Sequence, residues 1–227
     1  MSIPSTGQKG FTLVEIAIVL VIIGLLLGGI LKGQELINSA RVRNMADLNA
    51  GVQAAYYGFI DRYRLVPGDA RTADARIAVG ATTVNAGGNG NGRLDVGAGD
   101  EFDEATGVWE HLSKAGFISG NFEGGGVDAP AYRDDAPENA FNGPLILFRT
   151  DGYVGTGTEP EKLALNMGEN IPVTVARELD VKLDDGRPGT GVARAALQEG
   201  AASTAGAPTF GGLATIADTS TCVTADN

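Results

Sequence analysis

Apolar residues fall into two patterns along the first third of the chain, and the change between them organises everything that follows. From Phe11 to Leu31 the run is nearly unbroken, with 15 of 21 residues being Leu, Ile, Val or Phe. Beyond Leu31 the apolar positions thin to a stripe at Ile37, Ala40, Met45, Leu48, Val52, Ala55, Phe59 and Tyr63, mostly three or four apart, which is the signature of one buried helical face. Pro67-Gly68-Asp69 ends the pattern, because proline disfavours helix at the residue before it. Phe11 to about Arg64 is therefore expected to form one helix of about 54 residues, roughly 80 Å long.

The first half of that helix matches a bilayer. Twenty-one residues at roughly 1.5 Å each span a hydrocarbon core of about 30 Å. Each large apolar residue favours insertion by roughly 0.3–0.6 kcal/mol, against about 2.5–3.5 kcal/mol for a central charge. Insertion wins even with Glu15 ionised. A secretory signal peptide would have a shorter apolar region followed by a small-residue cleavage site, and the sequence near Leu31 offers none. The span is expected to be retained. Lys9 before it, if cytoplasmic, places the bulk of the chain on the far side of the membrane.

Lys9-Gly10-Phe11-Thr12-Leu13-Val14-Glu15 and the apolar run behind it resemble the N-terminus of the type IV pilin superfamily. The resemblance implies a leader ending at Gly10, cleavage before Phe11 by a prepilin peptidase, and methylation of the new N-terminus at Phe11. It also implies an α+β, pilin-like fold, with a long N-terminal helix packed on a small, loop-rich antiparallel-sheet head. The expected divisions are a leader over 1–10, a membrane-spanning half-helix over 11–31, an amphipathic half over 32–66 and a head over 67–227. Glu15 is costly in lipid without a partner. In pilins, the resemblance suggests, this acid pairs with the N-terminal amine of the same or a neighbouring subunit and sets the register on assembly. A residue that only snorkels to the headgroups is the simpler alternative.

The head reads less sharply. Asp103 to Ile118 carries Val108, Trp109, Leu112 and Ala115 at helical spacing, with Gly116 placed as a cap. Leu145 to Arg149, Tyr153-Val154 and Leu163 to Met167 read as strands, the first two joined by a turn at Thr150-Asp151-Gly152. Thr174 to Leu183 reads as a short helix, and residues 69–106 as mostly loop. The Ala-, Thr- and Gly-rich tail from Ala195 to Asn227 allows surface, strand or disorder. Thirty-four glycines in 227 residues, about twice the usual share of roughly 7%, predict a loop-rich domain.

Charge separates the two parts of the chain. The first 64 residues hold four acidic and six basic side chains, whereas the remaining 163 hold 24 and 11, a net −13. An acidic head argues against direct nucleic-acid binding. Cys222 is the single cysteine, so no intramolecular disulfide forms, although many pilins close a C-terminal loop that way.

Candidate chemistry in the head is confined to two acidic or polar clusters. In Gly87-Gly88-Asn89-Gly90-Asn91-Gly92-Arg93-Leu94-Asp95, setting Gly92 at the invariant glycine of a calcium loop gives Asn89, Asn91 and Asp95 as ligands and Arg93 a carbonyl. The pattern fails at both ends, where Gly87 and Ala98 offer no ligand; Asp100, Glu101, Asp103 or Glu104 would have to complete a calcium site, and a plain polar turn is the alternative. Asp180, Asp184 and Asp185 crowd a helix end, where carboxylates are unfavourable, so Lys182, Arg187 or a cation should compensate. His111 is the single histidine, which leaves zinc sites and Ser-His or Cys-His pairs without members; it is expected to be structural or exposed. No enzyme is indicated.

The resulting expectation is a structural subunit of a type IV pilus-like filament, with calcium as the one candidate cofactor. Its partners would be the prepilin peptidase, identical or related pilin subunits and an inner-membrane assembly platform. It would sit in the bacterial inner membrane as a single-pass protein with its head outside the cytoplasm, then in a periplasmic or extracellular filament. A type II secretion pseudopilin shares the motif, and a membrane-anchored extracytoplasmic binding protein is the rival of another class.

Overall fold

A computed structural model of the chain describes residues 11–95, 103–125, 135–150, 153, 160–168 and 171–195. The fold is α+β and pilin-like: a long N-terminal helix, α1 (Leu13–Tyr63), then α2 (Thr72–Val79), α3 (Asp103–Lys114), β1 (Ile146–Thr150), β2 (Lys162–Asn166) and α4 (Val173–Leu183). Contacts divide it into two units, Met1–Ala40 and Arg41–Asn227.

In the first unit all fifteen large apolar side chains from Phe11 to Leu31 are exposed, by 46–91%. The most apolar 18-residue window of α1 has a mean hydropathy of 2.8 and no buried residue. The helix here forms from its own hydrogen bonds and apolar composition, and among the described residues nothing buries its side chains.

In the second unit the stripe becomes a core. Val42, Met45, Val52, Ala55, Tyr56 and Phe59 of α1 are buried, so the buried face starts at Val42, whereas Ile37 is exposed. α1 ends because Arg64 takes a left-handed conformation at φ 58°, a stop that glycine would supply at no steric cost and that here costs about 1–2 kcal/mol. Val52, Ala55 and Phe59 pack with Val108, Trp109 and Leu112 of α3 and with Leu145–Phe148 at β1. Val42 and Met45 pack separately with Met167, Ile171, Val175 and Leu179.

β1 and β2 pair antiparallel, Ile146 facing Asn166 and Phe148 facing Ala164. Among the described residues, the partner of the first strand is thus Lys162–Asn166. Three buried residues, Ile146, Leu147 and Phe148, need a strand of matching length, and Leu163 and Leu165 supply its apolar side. Residues 151, 152 and 154 lie outside the described residues, as does the tail with Cys222. The segment read as loop also contains α2, an eight-residue helix closed by Gly80 in the left-handed region.

Gly68, in the turn after α1, is held by both backbone and space. Its φ is +89°, and a Cβ there would stand 2.3 Å from the Glu104 carbonyl oxygen and 2.7 Å from side-chain carbons of Leu94 and Val108. Gly68→Ala should therefore destabilise the full chain in detergent by about 3 kcal/mol or more, measured by denaturant unfolding. A loss below about 1 kcal/mol would show that the turn shifts freely.

Candidate functional site

The N-terminal site begins at Phe11, which precedes α1 and is 84% exposed; Gly10 lies outside the described residues. Glu15 sits in the first turn of α1. Its Oε2 accepts hydrogen bonds from the Thr12 N–H and the Thr12 hydroxyl, each at 2.9 Å, while the Glu15 N–H donates to Thr12 Oγ1 at 3.3 Å. That reciprocal pair is a capping box, in which Thr at the cap and Glu three residues on satisfy each other's orphan amides. The Thr12-x-x-Glu15 spacing before an apolar run carries its signal in the sequence, where the membrane motif overlies it. A charge that is anomalous inside an apolar helix is held at the helix N-terminus, where the macrodipole favours it.

The head contains a second polar arrangement, around the segment 85–95. Asp69 is nearly buried, and its Oδ1 accepts the N–H groups of Gly90 and Asn91 at 2.9 and 3.0 Å, its Oδ2 that of Gly92 at 2.8 Å. Glu104 accepts the N–H of Asn89 at 3.3 Å and of Asp95 at 2.7 Å. The candidate ligand oxygens also face loop groups: Asn89 Oδ1 takes the Asn91 N–H, Asn91 Oδ1 takes the Arg93 N–H, and Asp95 Oδ2 takes the Asn91 amide at 2.8 Å. Arg93 turns its guanidinium to Asp95 at 3.2 Å and to Glu161. The structure thus brings Asn89, Asn91, Arg93 and Asp95 together and adds Asp69 and Glu104. Sequence spacing marks Glu104 only as an option and gives no signal for Asp69, which lies well before the loop. Burial, opposed by the Asp95 and Asn89 amides and reinforced by the charges of Asp69 and Asp95, holds the Glu104 carboxyl above its ordinary value.

α3 supplies the rest of this scaffold. Glu110 and His111 are fully buried. The Glu110 carboxylate accepts the N–H groups of Asn85 and Ala86 and pairs with Lys114. His111 Nδ1 accepts the Gly68 N–H at 2.9 Å and Nε2 lies 3.1 Å from the Ala86 carbonyl, which assigns the neutral tautomer protonated on Nε2. Of the two roles open to it from sequence, this histidine takes the structural one: it ties the turn after α1 to residue 86. A third cluster, Asp180, Asp184 and Asp185, lies at the end of α4. Burial first, then the charges of Asp185 and Asp184, push the Asp180 carboxyl up.

The fold and the capped apolar helix define a pilin-like α+β protein with an N-terminal anchor segment. Residues 5–31 match the prokaryotic N-terminal methylation motif, the hallmark of type IV pilins and pseudopilins. The chain carries a prepilin-type N-terminus, which points to a structural subunit. No curated protein and no solved structure matches the chain.

His111 gives this scaffold a pH dependence. Burial chiefly holds its pKa below the ordinary histidine value, against the Ala86 carbonyl and the Glu110 charge. The unfolded chain therefore binds a proton more readily than the folded one, and the stability that His111 contributes is present above about pH 6.5 and lost as pH falls below it. Glu104, raised, acts in the opposite sense. The difference in unfolding free energy between wild type and His111→Gln should shrink from about pH 7.5 to about pH 5; a constant difference would mean that His111 takes up its proton equally readily in the folded and unfolded chain, and a growing one that it is charged in the fold.

Proposed function

We propose that this chain is a prepilin, cut between Gly10 and Phe11 by a prepilin peptidase and assembled from the inner membrane into a type IV pilus-like filament as a structural subunit. Residues 1–10 are its leader, 11–31 its membrane-spanning half-helix, 32–66 the amphipathic half and 67–227 its head. The observation that carries this reading is the methylation motif placed on an apolar helix whose side chains find no cover within the chain. Lipid covers that helix before assembly, and neighbouring subunits cover it afterwards. A Cβ added at Gly24, Gly28, Gly29 or Gly33 would meet nothing within 4 Å, so close helix approach there involves another chain. A pseudopilin of a type II secretion system carries the same motif, and the other subunits found in the filament distinguish the two. For calcium, the support is the gathering of Asn89, Asn91 and Asp95 in one loop with Asp69 and Glu104 hydrogen-bonded to its amides.

Mass spectrometry of membrane or sheared-filament protein should find a chain beginning at Phe11 and N-methylated. Gly10→Val should leave it uncut, because the peptidase accepts little beyond glycine at that position. Recovery of intact Met1 as the functional form would instead favour a membrane-anchored binding protein.

The capping box separates two roles of Glu15. Both of its bonds to Thr12 fall on Oε2, and Oε1 is the oxygen a neighbouring N-terminal amine would reach. Glu15→Ala should leave insertion unchanged or better, since it removes a charge costing roughly 2.5–3.5 kcal/mol in lipid, yet reduce filament yield at least tenfold. Thr12→Val removes the hydroxyl of the cap, worth about 1 kcal/mol, and should keep most of the yield. Equal losses in the two variants, with membrane-inserted protein held constant, would make Glu15 a helix cap only.

A further inference from the structure

α4 ends in a group of three carboxylates, Asp185 with the Arg187 charge near it and Asp180 with the Gly186 amide but, among the described residues, no cation beside it. Asp180 lies in the last turn of α4, Asp184 is the residue that ends the helix and Asp185 follows. One carboxylate oxygen from each of the three lies within 4.8 Å of the others. Asp180 is 7% exposed, and its Oδ1 is buried without a hydrogen-bond partner. Among the described residues no lysine or arginine makes an ion pair with any of the three. Three negative charges therefore meet at the negative end of a helix dipole, one of them nearly out of water.

The groups that do contact these acids orient them. Asp184 Oδ2 accepts the N–H groups of Val192 and Ala193. Asp185 accepts the Arg187 N–H at 2.9 Å and the Thr190 hydroxyl at 2.6 Å. Each carboxylate has about four lone-pair sites, so these bonds fix its direction and leave acceptor capacity over. The Asp180 oxygen with no donor marks where positive charge is missing.

We infer that Asp180, Asp184 and Asp185 form a binding site for a divalent cation of calcium's size, which ties the end of α4 to residues 186–193. All three donors are hard oxygens, suited to calcium or magnesium rather than to softer metals. Size separates the two. Calcium–oxygen distances of about 2.3–2.6 Å let ligands on opposite sides of the ion stand up to about 5 Å apart, whereas magnesium at about 2.0–2.1 Å holds them within about 4.2 Å. A cluster whose oxygens lie within 4.8 Å of one another is inside calcium's reach as it stands, and magnesium, which gives up its water reluctantly, is the poorer fit. Water and backbone carbonyls would complete the roughly six to eight ligands that calcium takes.

The test is thermal unfolding of the full chain in detergent micelles, with calcium chloride, magnesium chloride or neither. Calcium at about 5 mM should raise Tm by at least about 3 °C, and magnesium by clearly less. Asp180→Asn should abolish the calcium shift while leaving the calcium-free Tm unchanged or higher, because an unpartnered buried charge is gone. Asp61→Asn, an exposed acid near the end of α1, should keep the shift. If Asp180→Asn does not fold, Asp185→Asn, at an exposed position, should weaken calcium binding at least tenfold by calorimetry. No shift in the wild type would overturn the inference. So would a shift lost in Asp95→Asn and retained in Asp180→Asn, which would put the ion on the 89–95 loop.

Discussion

Fifteen large apolar side chains on one helix with no cover among the described residues are the constraint from which the rest follows. Covering each is worth roughly 1.5–3 kcal/mol, and even partial exposure leaves on the order of 20 kcal/mol outstanding. The net stability of a folded domain is only about 5–15 kcal/mol. The same side chains are exposed in the unfolded chain, so this is a driving force for transfer of the helix into lipid or onto other chains and not a deficit that the head must offset. The Thr12–Glu15 capping box serves the same constraint. It closes the helix end with local bonds, so an acid and an open turn stand at the edge of an apolar segment without loose amides.

The head meets a different difficulty, since its regular structure is slight. A two-stranded sheet is marginal alone, and the core depends on α1, α3 and β1 meeting around Phe59, Trp109 and Leu145. Around that core the loops are held by carboxylates that accept backbone amides: Asp69 for 90–92, Glu104 for 89 and 95, and Glu110 for 85 and 86. Charge-assisted bonds of this kind are stronger than neutral ones. They explain how an acidic, glycine-rich domain with a single cysteine keeps long irregular stretches in place.

Some of this is legible in the residues and some is not, for physical reasons. The helix over α1 announces itself through composition and a 3.6-residue stripe, and α3 and α4 through the spacing of Val108, Trp109 and Leu112 and of Val175 and Leu179. α2 escapes notice because Thr72–Val79 has one buried residue, Ala75, too little to make a stripe. The pairing of β1 with Lys162–Asn166 is carried by the apolar match at Leu163 and Leu165, while the turn at Thr150-Asp151-Gly152 and its strand at Tyr153-Val154 fall largely outside the described residues. Asp69, Glu110 and His111 act across sequence separations of 21 to 43 residues, and nothing local marks them. Only the capping box is fully written in the local sequence yet hidden, because the same residues spell the processing motif.

The claim that unites these observations is that other subunits cover the apolar half of α1. A photo-crosslinking amino acid placed at Val19, on the exposed apolar surface, tests it in cells that assemble the protein. Adducts between copies of this chain or with related subunits, enriched in the sheared-filament fraction, are the result this account predicts. Adducts to lipid alone, with no chain-to-chain product in any fraction, would contradict it and leave the helix a membrane anchor.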